Sequence, residues 1–288
     1  AHDDLGTSYY FRGAVNNNWV KFGKEGTKDI YWRIIRINGD GSIRMIYSGT
    51  TAPTSSTAIV MTGTGTLINA STYQFNSNYI YAEYVGYMYT RGKQHGTSTS
   101  SGVKTTIENW YAGTTLKDNE LVSKDQIFCN DRSASSTQTA AWTSTGANYY
   151  YGAYGRLNIN TTPILTCPEE SDKFTSKKSS IGNKALEYPV GLITADEVAM
   201  AGGRPGYSNS AYYLYTDEYY WVGSPLMFNS YGTASEYNAN STGHLGNNGV
   251  DTSSGVRPVI SLSPSAKLSG SGTYDDVYVV SWFYVYKK

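Results

Sequence analysis

Val190-Gly191-Leu192-Ile193-Thr194-Ala195-Asp196-Glu197-Val198 runs from an apolar stretch into a helix start. Two pieces follow it in order, Tyr220-Trp221-Val222-Gly223-Ser224-Pro225 and Gly255-Val256-Arg257-Pro258-Val259-Ile260-Ser261-Leu262. Residues 190–193 read as a short buried strand. Thr194 is placed to cap a helix, and Glu197, three residues on, reaches back to close a capping box. Ala195, Val198, Ala199 and Ala201 supply the buried stripe, and Gly202-Gly203 stops the helix. Asp196 and Glu197 fall in the first turn, where carboxylates complement the helix dipole, and are read in that role rather than as an acid/base pair.

Working outward, the N-terminal quarter carries two hairpin patterns. Residues 31–37 and 42–47 flank Asn38-Gly39-Asp40-Gly41, whose Asn-Gly and Asp-Gly steps tolerate positive φ. Residues 9–12 and 19–22 flank a loop with three consecutive asparagines and are expected to pair with each other. Residues 49–77 read as loop with a short strand at 58–61, and 79–89 as an aromatic strand or extended run. Residues 103–111 look helical, with Val103, Ile107, Trp110 and Tyr111 on one face and Gly113 beyond the end. The tail alternates turns with short strands at 219–222, 235–238, 255–262 and 277–285. No fixed internal period marks a solenoid or propeller.

Composition narrows the class. Of 288 residues only 39% are hydrophobic and 16% charged, and the balance is Gly, Ser, Thr, Asn and Tyr. Tyrosines number 28 against 7 phenylalanines, the mixture that supplies rigid rings and adaptable polar contacts in binding surfaces; strands also favour tyrosine without any such role. Net charge is zero, and no basic stripe is present to neutralise phosphates, so nucleic acid is not an expected partner. No run of 18 apolar residues could span a membrane. The opening Ala1-His2-Asp3-Asp4 suits neither a start methionine nor a signal peptide, and is expected to lie downstream of an export or anchoring segment. In a chain of secreted character the two cysteines, Cys129 and Cys167, favour one disulfide over two unpaired buried thiols.

The three pieces quoted first, in that order, resemble the C-type-lectin-like domain of a large family of bacterial cell-surface proteins. That family is distantly similar to the formylglycine-generating (sulfatase-modifying) enzymes. Residues 31–41, 128–133, 150–157 and 165–167 are also similar to family segments, so the resemblance touches most of residues 9–262. It implies an α+β fold with small twisted antiparallel sheets, about two helices and long ordered loops. It further implies that Trp221 fills the core and that Arg257 pins the last loops with its planar fork of donors. Relatives often carry a pilin-like N-terminal anchor. The implied organisation is an N-terminal hairpin segment (1–48) integrated into the body, a lectin-like core (49–262) with display loops at 223–254, and a C-terminal strand or tail (263–288).

Chemistry is hard to assemble from these residues. The formylglycine-generating enzymes use cysteines in their C-terminal half, whereas residues 190–262 contain none. Glu-Pro-Asn, Gln-Pro-Asp and Trp-Asn-Asp calcium motifs are missing too. His2, His95 and His244 lack the spacing of a zinc site or a triad. No cofactor and no metal is expected. What remains is the interval between Trp221 and Arg257, where Phe228, Asn229, Tyr231, Glu236, Tyr237, Asn240, His244, Asn247, Asn248 and Asp251 place rings, amides and carboxylates in loop-forming sequence. The reading is an extracellular adhesin-type module at the bacterial surface, recognising a glycan, peptide or protein through these residues, with Phe228, Tyr231, Tyr237, Asn240, His244 and Asn248 expected on one exposed face. A structural pilus-like or surface-layer subunit is the alternative, and an enzyme the reading with least support.

Overall fold

The computed structural model describes residues 1–282. In chain order its main strands are β1 (Trp19–Glu25), β2 (Lys28–Ile37), β3 (Ile43–Tyr47), β4 (Thr72–Gln74), β5 (Phe128–Cys129) and β6 (Lys173–Phe174). They continue as β7 (Tyr220–Phe228), β8 (Ala234–Ala239), β9 (Leu245–Gly249), β10 (Ser253–Gly255), β11 (Val259–Leu262), β12 (Ala266–Ser269) and β13 (Tyr278–Trp282). Helices are α1 (Gly102–Ala112), α2 (Gly152–Tyr154), which runs on as a π-turn over Gly155–Ile159, and α3 (Ala195–Ala201).

The fold is α+β, with mostly small sheets: three of two strands beside two larger ones, whose pairing is not wholly antiparallel. The first sheet has the order β11-β3-β2-β1-β13-β12, and the second β9-β8-β7-β10-β4. The β13–β1 and β7–β10 pairs are parallel. The β2–β3 hairpin forms around Asn38-Gly39-Asp40-Gly41, with Gly41 at φ +84°. At Gly39 an added Cβ would lie 2.2 Å from the Gly6 nitrogen, so only glycine lets the two turns touch.

Three local expectations change. Tyr9–Tyr10 pairs with Ile37 and Arg36 of β2 and not with 19–22, because β2 is long enough to take both β1 and this short strand on its edge. Residues 58–61 form no strand; the carbonyls of Ala58 and Ile59 instead accept from Trp19 Nε1 (2.7 Å) and Arg33 Nη1 (2.7 Å). The 79–89 run holds a 3₁₀ turn, Ala82–Val85, and a short strand, Met88–Tyr89. Of the strand expected at 277–285, residues 278–282 are β13 and 283–288 lie outside the described residues.

Aromatic rings join the layers. Trp32, Tyr47 and Trp110 meet edge-to-face with centroids 5.4–6.3 Å apart, fastening α1 to the first sheet. Trp221 packs on Phe75 at 5.7 Å, and its Nε1 donates to the Tyr73 carbonyl at 2.7 Å. Cys129 and Cys167 form a disulfide across 5.5 Å between Cα atoms. The same corner is pinned from the N-terminal segment, because Cys167 N donates to Asp4 Oδ2 (2.8 Å) and Lys173 pairs with Asp4 (3.0 Å). Among the described residues no helix is long and apolar enough to cross a membrane.

Candidate functional site

The interval from 223 to 254 is mostly sheet joined by short turns, not a set of long display loops. It builds β7, β8, β9 and β10, and every residue of β8 is buried because the sheet is covered on both faces. Ser235, Tyr237 and Ala239 alternate with Ala234, Glu236 and Asn238, so each set faces a packed layer. The ten expected site residues therefore share no exposed face. Phe228, Glu236, Tyr237 and Asn240 are buried. Tyr237 Oη donates to Asn158 Oδ1. Asn229 and Tyr231 sit at the β7–β8 turn, where Asn229 Oδ1 accepts from Tyr231 N (2.9 Å) and Thr233 N (3.0 Å) and Tyr231 stands 91% exposed.

At the opposite end of β8, Asn240 Nδ2 lies 2.9 Å from His244 Nε2, a contact that orders the β8–β9 turn. Asn247 and Asn248 occupy the edge strand β9, Asn248 opposite Glu236. Asp251 follows in the next turn, its carbonyl accepting from Gln74 Nε2 (2.6 Å). Glu236 is fully buried and neither carboxyl oxygen has a hydrogen-bond partner among the described residues. Burial drives its pKa well above the ordinary glutamate value, with Arg132 pulling weakly the other way.

A small polar cavity of about 30 Å³, room for roughly one water, lies beneath α3 and the disulfide corner. Its walls are already paired with one another. Thr194 and Glu197 form the capping box, and Glu197 also meets Arg36 Nε at 2.9 Å and Arg44 Nε at 2.6 Å. Arg36 reaches Asp3 (2.5 Å), while Arg156 spans Asp131 (2.7 Å) and Asp196 (2.9 Å). This cluster braces the molecule: its charges are spent on each other.

An open groove of about 500 Å³ runs between α1, the β1–β2 turn and the edge strand β4. That size falls within the roughly 300–1,000 Å³ of small-molecule sites. Thr106, Asn109 and Trp110 come from one face of α1, spaced three and four apart. Glu25, at the end of β1, accepts from Trp110 Nε1 at 2.6 Å, and the Asn69 amide donates to Tyr73 Oη at 3.0 Å. Asn69 and Ala70 are consecutive non-glycine residues in the left-handed region, at φ 55° and 47°. Such a conformation is costly and turns the chain sharply at the groove's rim. Among the described residues, no lysine, arginine or histidine lines the groove. Its walls offer amide and hydroxyl donors and acceptors, a half-exposed phenol ring and one carboxylate held by an indole.

Sequence reasoning found Trp110 as a core residue of α1 but missed the groove. Its parts lie at 25, 69–73 and 106–114, and only the fold brings them together. The α1 spacing of Thr106, Asn109 and Gly113 was the one available signal. Compared with known proteins, the chain matches no family model, no curated protein and no solved structure, and nothing there bears on the lectin-like resemblance.

Proposed function

We propose that this chain is an extracellular, adhesin-type binding module of the bacterial surface, built on a C-type-lectin-like frame, and that its ligand seats in the groove between α1, the β1–β2 turn and β4. The observation that carries this is the groove's wall: Tyr73 and Trp110 beside Asn69, Asn109 and Glu25, within about 500 Å³. The partly buried Tyr73 ring can stack, and with amides that donate and accept it suits a neutral hydroxyl- or amide-rich ligand, a glycan or an extended peptide, while the buried Trp110 forms the floor. Walls without lysine, arginine or histidine among the described residues disfavour an anionic one. The edge-to-face cluster of Trp110 with Trp32 and Tyr47 supports the reading by fixing the α1 wall of the groove to the first sheet.

The reading is tested by probing arrays of neutral oligosaccharides and of peptides with the intact chain, with a Tyr73→Ala/Asn109→Ala variant and with Tyr231→Ala. Loss of binding by the first variant alone supports the groove. Loss by Tyr231→Ala alone would move recognition to the β7–β8 turn, where Tyr79 and Ile80 are also exposed.

A further inference from the structure

Glu25 closes β1 at the β1–β2 turn, and among the described residues it is the one carboxylate in the groove wall. The lysines of its own strand are engaged elsewhere: Lys24 pairs with Asp29 at 2.8 Å, and Lys21 reaches the same Asp29 at 3.8 Å. Lys28 stands opposite Glu25 in the β1–β2 pair, yet among the described residues it forms no ion pair with it and takes no part in the wall. Glu25 is served by neutral donors instead. Trp110 Nε1 donates to its Oε1 at 2.6 Å, and the Tyr47 hydroxyl reaches the same carboxylate. Neutral donors fix the group in place but leave its charge standing, and a carboxylate can accept about four hydrogen bonds in all. The described wall therefore carries a negative charge and no positive one.

The end of α1 adds to that charge. The helix runs 11 residues, and Asn109, Trp110 and Gly113 bring its C-terminal end into the wall. Aligned peptide dipoles place about half a negative charge at such an end, where a lysine or arginine is favourable. No basic residue occupies the last turn of α1. The partly buried Tyr73 ring and the Trp110 floor offer faces that attract a cation and not an anion. Carboxylate, helix end and rings thus share one preference of sign, and no described residue of the wall answers it.

We propose that the groove selects a protonated amine, seated against Glu25 at the C-terminal end of α1, and that its ligand is an otherwise neutral glycan containing an amino sugar with a free amino group. This deepens the groove reading and rests on it. The amine comes on a sugar and not on a lysine chain because Asn69, Thr106 and Asn109 bring amide and hydroxyl groups to the same wall. A ring with several hydroxyls gives those groups partners, whereas a lysine stem of methylenes leaves them facing apolar surface. Acetylating the amine removes its charge and with it the preference.

The test titrates two sugars into the whole chain at about pH 6, where amines are protonated: the fully deacetylated glucosamine trimer and its N-acetylated counterpart. The deacetylated trimer should bind at least about tenfold more tightly, and the gap should narrow as salt is added. Glu25→Gln keeps an oxygen for Trp110 Nε1 and should fold. It should bind the acetylated trimer like the natural chain and keep a gap of no more than about threefold, the share left to the helix end. Equal affinity of the natural chain for the two trimers, binding of neither, or an undiminished gap in Glu25→Gln would overturn the proposal. So would a lysine tripeptide that binds more tightly than the glucosamine trimer. Tyr73→Ala/Asn109→Ala separates the two readings. If the gap is absent while this variant still weakens the acetylated trimer, the groove stands and the amine assignment alone fails; if the variant binds both trimers like the natural chain, the groove itself is wrong.

Discussion

Arg44 Nε lies 2.6 Å from Glu197 Oε1, so the residue that closes the capping box of α3 is also the counterion of a fully buried guanidinium on β3. One carboxylate thus sets the start of a helix and docks that helix against the first sheet. Arg36, 2.9 Å from the same oxygen, makes it a three-way junction.

Glu197→Gln should therefore cost far more than a helix cap. Removing the carboxylate leaves Arg44 without a carboxylate partner and Arg36 with Asp3 alone, which costs roughly 3–5 kcal/mol, against about 1 kcal/mol for a cap alone. Equilibrium urea unfolding of the variant separates the two magnitudes; a loss near the smaller figure would show that the ion pairs contribute little.

The same junction sets an acid limit. Burial raises the Glu197 pKa, but Arg44 and then Arg36 outweigh it and hold the group at about 2, against 4.5 for an unperturbed glutamate. A depressed folded value gives stability that is complete above the ordinary range and is lost as the pH falls from about 4.5 towards 2. Melting temperatures across that window should drop in the natural chain and drop less in Glu197→Gln. Parallel curves would contradict this.

Glu236 has the opposite sign. Its raised value means that the folded state holds a proton the unfolded chain releases, so the penalty grows as pH climbs above the ordinary glutamate range. Glu236→Gln should be more stable than the natural chain at pH 8, by about 1.4 kcal/mol for each unit separating folded and unfolded values, with the gain fading near pH 4. Calorimetry at both pH values checks it, and a gain independent of pH would point to packing instead.

Cys129 and Cys167 lie 38 positions apart. On the chain-entropy account a loop of that length is worth about 4 kcal/mol. Replacing both by serine should lower the denaturant midpoint accordingly, and a loss under about 1 kcal/mol would assign the stability of this corner to the Asp4 contacts instead.

How much could be read in advance follows the same physics. The hairpin at Asn38-Gly39-Asp40-Gly41 and the helix from Thr194 to Gly202 were legible because turn and cap chemistry is local. β8 was legible as a short strand at 235–238, but its complete burial was not: Ser, Glu and Asn are poor core residues, and Ala234–Ala239 is buried because neighbours pair with both its edges and layers cover both its faces. Tyr231 and Tyr237, six residues apart and equal in the sequence reading, are 91% and 1% exposed. Tyr237→Ala should accordingly cost roughly 3–5 kcal/mol, as for other large buried rings, whereas Tyr231→Ala should leave the melting temperature unchanged. The groove lay out of reach for a different cause, since Glu25, Tyr73 and Trp110 meet only after both sheets have formed.

The most direct measurement is calorimetric titration of the strongest neutral array ligand into three proteins: the natural chain, Tyr73→Ala/Asn109→Ala and Tyr231→Ala. With a stacked ring and an amide removed, affinity for the double variant should fall at least about tenfold, close to 1.4 kcal/mol, while Tyr231→Ala binds like the natural chain. Equal affinity in all three proteins, with melting temperatures unchanged, would show that the space between α1, the β1–β2 turn and β4 is not where this molecule holds its ligand.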